Sequence, residues 1–132
     1  MVNDLSNRSK VRNLMFGTIY KIMTQDQWRQ LEVDGTFLGA PIDLKDGYIH
    51  FSFEDQLVET AVKHFASQSG LHVVAVDVAR LGPALKAEAS RGGALFPHLY
   101  APLMREDVLW ASPLVWRQDG RPEWQLPLPV QD

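Results

Sequence analysis

The order of apolar and polar positions predicts short strands interleaved with two early helices. "MFGTIYKIM" is a strand candidate containing Ile19, Tyr20 and Ile22. Thr24 follows with Gln27 three residues on, a pairing in which each side chain can serve the other's backbone N–H, so a helix carrying Trp28 and Leu31 is predicted there. "DGTFLGAPIDLKDG" has the glycines, proline and aspartates of a long surface connection into a second strand candidate, "YIHFS". Ser52 with Asp55 marks a second helix start, with Ser52 as its N-cap. In that helix Leu57, Ala61 and Phe65 form a packing face, Glu59 and Lys63 face water, and Gly70 ends it.

The second half reads as strands with short helical turns at most. "HVVAVDVARL" is almost wholly apolar as far as Asp77, as a central strand buried on both faces should be. After "LGPA" come "LKAEAS", an "RGG" loop, "LFPHLYAPL" and "DVLWASPLVW". In "WRQDGRPEWQ", Asp119-Gly120 is a hairpin-turn signal. Helices early and strands late, without regular strand-helix alternation, predict an α+β domain on a mixed or antiparallel β-sheet. Residues 1–13, rich in Asn, Ser, Lys and Arg, read as a flexible N-terminal tail, with a single domain over 14–132 and a proline-spaced, extended end in "LPLPVQD".

Composition narrows the chemistry. With 45% hydrophobic and 22% charged residues the chain fits one globular core. It has no cysteine, which excludes disulfides, thiolate metal sites and thiol nucleophiles. A net charge of -3 does not indicate a nucleic-acid partner. No apolar run approaches a membrane span, and "MVNDLSNRSKVRN" lacks the apolar core of a signal peptide, so a cytoplasmic protein without membrane partners is expected. No dinucleotide fingerprint, P-loop, zincin or nucleophile-elbow motif is present, and no metal is expected.

What remains is a set of polar residues set in apolar strands. Alternation puts His50 on one strand face with Tyr48 and Ser52, and His98 on one face with Phe96 and Tyr100, an aromatic wall suited to a flat ligand. A histidine buried in such a wall is neutral and can accept a proton, but it can equally be a packed, hydrogen-bonded core residue. Arg91-Gly92-Gly93 joins a fixed cation to glycines that admit close backbone approach, either as an anion site or as a loop tied to Glu88 by an ion pair. His64, His72 and the four tryptophans read as structural.

The segments "DGYIHFSFEDQLVETAVKHF", "LHVVAVDV" and "RGGALFPHLYAPL" resemble DUF952, a small bacterial family named for its unknown function. The resemblance spans about Ile19 to Leu126. The run from "YIHFS" to "VVAVDV" is also similar to RNA 2'-phosphotransferases, which implies an ADP-ribosyltransferase-like fold, a split mixed β-sheet with a nucleotide cleft. Where those enzymes carry a ribose-seating histidine this chain has Lys21, and the phosphate-gripping arginines lack counterparts. The expected site is a cleft with His50 or His98 as general base and Ser52, Glu88, Arg91, Tyr100 and Lys21 binding a small anionic or nucleotide-like ligand, NAD or another nucleotide, as a transferase would. The alternative is a non-catalytic module that binds a ligand or a protein.

Overall fold

The most apolar stretch forms the central strand. The computed structural model describes residues 17–90 and 92–126. The expected tail, the domain start at Leu14, Arg91 and the chain beyond Leu126 lie outside the described residues. Strand β4 (Leu71–Asp77) runs antiparallel between β1 (Thr18–Thr24) and β8 (Val108–Trp116), and β9 (Pro122–Glu123) completes a four-stranded sheet in the order β1-β4-β8-β9. Val74 and Val76 face one side with Ile19 and Met23, while Leu71 and Val73 face the other with Ile22, so side-chain alternation splits the core into two layers. The β8-β9 hairpin turns at Asp119-Gly120 as expected, with Gly120 at φ 84.

Helix α1 (Gln25–Asp34) begins at the predicted Thr24–Gln27 capping box and buries Leu31 on the first layer, where Trp28 also packs. The expected long connection is instead built: strand β2 (Thr36–Phe37) pairs with β7 (Leu103–Met104), and α2 (Pro41–Asp46) follows. Pro41 fixes the first helical φ, Asp43 accepts the Ala40 N–H at 2.8 Å, and Gly47 closes the helix at φ 89. The start and stop signals were present, but the segment is short and its apolar Ile42 and Leu44 point outward.

Ser52 is not a helix cap. Its backbone pairs with Tyr20 on both sides, at 2.9 and 2.7 Å, and its hydroxyl meets Thr60 at 3.1 Å. The chain enters a 3₁₀ turn (Glu54–Gln56) two residues later, where Gln56 accepts the Phe53 N–H, and continues as α3 (Leu57–Phe65). Leu57 and Ala61 pack on the second layer with Phe65, Trp110, Trp116 and Trp124. The helix stops at Phe65, before Gly70, with Ser67 in the left-handed region.

A second, three-stranded sheet in the order β3-β6-β5 covers the other side, from β3 (Ile49–His50), β6 (Leu95–Leu99) and β5 (Leu85–Ala89). Short helix α4 (Val78–Leu81) and a 3₁₀ turn (Gly82–Ala84) lead into β5. All strand pairs are antiparallel, so the sheet is split but not mixed. Ile49, Leu99 and Leu85 stand in register and face the first core layer. The alternate positions therefore form the outer face.

Candidate functional site

Register decides which side chains share that outer face. His50 lies opposite His98, and His98 opposite Lys86. Tyr48, Tyr100 and Glu88 each stand two residues along from one of these and so project the same way. The two histidine rings come together at 5.4 Å in an edge-on arrangement. Tyr48 stacks on His98 at 4.1 Å, tilts against His50 at 4.7 Å and meets Tyr100 at 5.2 Å. Tyr48, just before β3, thus joins Tyr100 in the aromatic wall around His98.

Each histidine has a carboxylate on Nδ1. His98 Nδ1 lies 2.8 Å from Glu88 Oε1, which also accepts the Tyr100 hydroxyl at 2.6 Å. The two bonds hold the Glu88 carboxyl below its ordinary range and push the Tyr100 phenol up to about 12, the shared hydrogen bond being the largest cause in each case. The His98 side chain is only 5% exposed, and among the described residues nothing pairs with its Nε2. Among the described residues, one buried side-chain nitrogen or oxygen is without a partner, His72 Nδ1. With Nδ1–H directed at Glu88, Nε2 bears the lone pair, the arrangement of an oriented general base.

His50 is held differently. Nδ1 is 2.6 Å from Asp43 and Nε2 is 3.0 Å from Asp46. A carboxylate only accepts, so Nδ1 donates to Asp43, and Nε2 faces Asp46 at ion-pair distance. Asp43 is buried and collects four donors: the His50 ring, Lys21 Nζ at 3.1 Å, and the backbone N–H groups of Ala40 and His50. Burial opposes its ionisation, but the His50 hydrogen bond, the Lys21 charge and the two backbone bonds outweigh it and bring its pKa down to about 2. Burial likewise lowers the Lys21 ammonium, against the pull of Asp43. Lys21 also donates to the His50 carbonyl at 2.8 Å. Tyr48 is shifted upward by desolvation and by the charges of Asp46 and Glu88.

Of the expected site residues, His50, Glu88, His98 and Tyr100 converge. Lys21 is buried beneath them as the counter-ion of Asp43, and Ser52 is buried against Thr60, away from the outer face. Arg91 lies outside the described residues, and the described exposed cation here is Lys86, whose Nζ sits 5.0 Å above the Tyr100 ring. Asp43 and Asp46 were not singled out in sequence, and Tyr48 was placed only on the His50 face; the signal for Asp46 was its four-residue step to His50 across Gly47. The converging residues stand on the outer face of the β3-β6-β5 sheet. Two shallow depressions, one beside Met104 and Arg105 and one beside Pro113 and Trp124, include none of these residues. Among the described residues no three His, Asp or Glu side chains are arranged to hold a metal ion. No helix is long and apolar enough to cross a membrane among the described residues.

Comparison with known proteins adds a family and a fold. The model of a family described as "Protein of unknown function (DUF952)" matches residues 22–111. The crystal structure of protein CC0527 from Caulobacter crescentus is 45% identical, with a TM-score of 0.76 over 80% of this chain and 93% of that one. The solution NMR structure of CC0527 is likewise 45% identical, with a TM-score of 0.73 over 80% and 91%. None of the curated proteins matches.

Proposed function

The chain belongs to the DUF952 family, and from that premise we propose that the outer face of the β3-β6-β5 sheet is an acid–base site for a small nucleotide-like ligand. The ligand's ring lies against Tyr48 and Tyr100, and His98 takes a proton from the bound molecule. The observation that carries this is the state of His98: a ring nine-tenths buried, fixed through Nδ1 by Glu88, with Nε2 unpaired among the described residues. A carboxylate that sets the tautomer and orientation of an imidazole is the usual preparation of a general base. The similarity of "YIHFS" and its surroundings to RNA 2'-phosphotransferases supports the nucleotide part, and an ADP-ribosyltransferase-like origin of the fold belongs to the same proposal. An antiparallel α+β frame hosts many activities, so the site carries the function.

The test is a thermal-shift and NMR screen with NAD, ADP-ribose, mononucleotides and glutathione on the wild type and His98→Ala. A nucleotide should raise the melting temperature and move the His98 and Tyr100 signals, and the substitution should remove both effects. If no nucleotide does so, the proposal fails. A second reading, a binding module without chemistry, is favoured by one observation: both His50 nitrogens are already taken by carboxylates. His98→Asn separates the two, since a module keeps its ligand affinity whereas an enzyme keeps affinity and loses turnover.

A further inference from the structure

Strand β5 ends the three-stranded sheet, and the hydrogen bonds around it show which way its backbone faces. Tyr100 N–H donates to the Ala84 carbonyl at 2.8 Å and Ser90 N–H to the Ala94 carbonyl at 3.0 Å, so the even-numbered residues here face β6. Ala87 stands opposite Pro97, which has no N–H and whose carbonyl accepts from Phe51 on the β3 side. The backbones of Leu85, Ala87 and Ala89 therefore point away from the sheet. The Leu85 N–H is used by the Gly82 carbonyl. The N–H groups of Ala87 and Ala89 and the carbonyls of all three have no partner among the described residues.

The side chains along this edge are complementary in charge to a reversed copy of themselves. Lys86 and Glu88 share the outer face, two residues apart. Lys86 forms no ion pair among the described residues. Both hydrogen bonds to Glu88 fall on Oε1, so Oε2 has no partner among them. A lysine on an open edge ordinarily discourages pairing with another strand, but an antiparallel copy of β5 centred on Ala87 gives it a carboxylate. In that register the Ala87 N–H meets the Ala87 carbonyl of the second copy, the Ala89 N–H meets the Leu85 carbonyl, and Lys86 lies directly opposite Glu88. The two-fold axis makes each contact twice. A slip of two residues either way sets Lys86 against Lys86 or Glu88 against Glu88, which opposes it. We propose that β5 is a self-recognition edge: two copies of this chain pair through it into one continuous sheet, with Lys86 of each copy as counter-charge to Glu88 of the other. The carboxylate that orients His98 is thereby held from the partner's side as well.

Two paired five-residue strands make a small contact, so association belongs to the weak class below about 1,200 Å² and is followed by sedimentation up to about 1 mM protein. The full chain should pass reversibly from monomer to dimer over that range. Lys86→Glu should weaken the dimer at least about tenfold, because symmetry doubles both the lost attraction and the added repulsion. Ala87→Pro removes an N–H that no other group of the described chain uses, and it should abolish the dimer while the monomer keeps its fold, read by circular dichroism. Amide hydrogen exchange at Ala87 and Ala89 should slow as protein concentration rises, with Lys86 and Glu88, which face β6, unchanged. A chain that stays monomeric at about 1 mM, or a dimer that neither substitution weakens, overturns the proposal. Strong protection of the Ala87 and Ala89 amides in dilute monomer overturns it too, since another part of the chain then covers the edge.

Discussion

Replacing Asp43 by Asn removes one charge while keeping size and shape, and the buried network around it sets the cost. In the wild type the carboxylate accepts from Ala40, from the His50 backbone and ring, and from Lys21, with its side chain wholly buried. Asn turns a donor toward one of those donors and leaves the buried Lys21 ammonium without a counter-ion. Breaking a buried pair from one side costs about 3–5 kcal/mol. The ionisation of Asp43 gives an independent measure. Its pKa is depressed from an ordinary 3.8 to about 2, so its charge stabilises the fold above the unfolded value, and the contribution fades as pH falls through the folded one. At 1.36 kcal/mol per unit that is about 2 kcal/mol at neutral pH. Urea unfolding followed by tryptophan fluorescence should show Asp43→Asn destabilised by about 3–5 kcal/mol at pH 7. The gap from wild type should narrow by about 2 kcal/mol between pH 5 and pH 2. Adding Lys21→Met should recover at least about 1 kcal/mol, since the unpaired ammonium is then gone. A loss below about 1 kcal/mol at pH 7, or a gap that stays constant with pH, would refute the reasoning.

Further outcomes follow from single contacts. Glu88→Gln should bring the Tyr100 phenol down from about 12 toward the ordinary tyrosine range; tyrosine ring-carbon NMR should then show Tyr100 titrating by about pH 10.5, where the wild type does not. His72 stacks beside Trp28 with a buried, unpartnered Nδ1. His72→Phe should therefore be neutral or raise stability by roughly 1 kcal/mol in a denaturant titration, and a clear loss would show that the nitrogen has a partner in solution. Gly39 sits at φ 135, where a Cβ would come within 2.8 Å of the Asp43 Cβ. Gly39→Ala should cost about 1–3 kcal/mol and displace the His50 ring signals, because the carboxylate that holds them is pushed aside.

Much of this was legible in sequence for a physical reason. The Thr24–Gln27 box, the β4 run and the Asp119-Gly120 turn are local signals whose cause lies within a few residues, and each forms where expected. So did the shared face of His98 and Tyr100, since strand alternation is set by the backbone. The pairing of His50 with His98 joins residues 48 positions apart through β3-β6 register, which alternation within either strand cannot supply. Asp43 was hidden because helix α2 has only six residues and most of its apolar side chains point outward, so no periodicity marked it as built structure. Ser52 misled for the opposite reason. Its spacing to Asp55 suits a cap, but the bridge to Tyr20 claims its backbone for the sheet, and Gln56 serves the helix instead.

The three-stranded sheet is fastened unevenly. At β3, the Ser52–Tyr20 bridge and the Lys21 bond to the His50 carbonyl tie it to the central sheet. At the other margin β5 is an edge strand, with one side of its backbone unpaired in the sheet order. The two histidine–carboxylate pairs therefore stand on mechanically unequal ground, Asp43 and His50 at the clamped margin and Glu88 at the free one. Local opening begins where cross-links are fewest. A fraying of β5 would carry Glu88 off His98 while leaving His50 on Asp43.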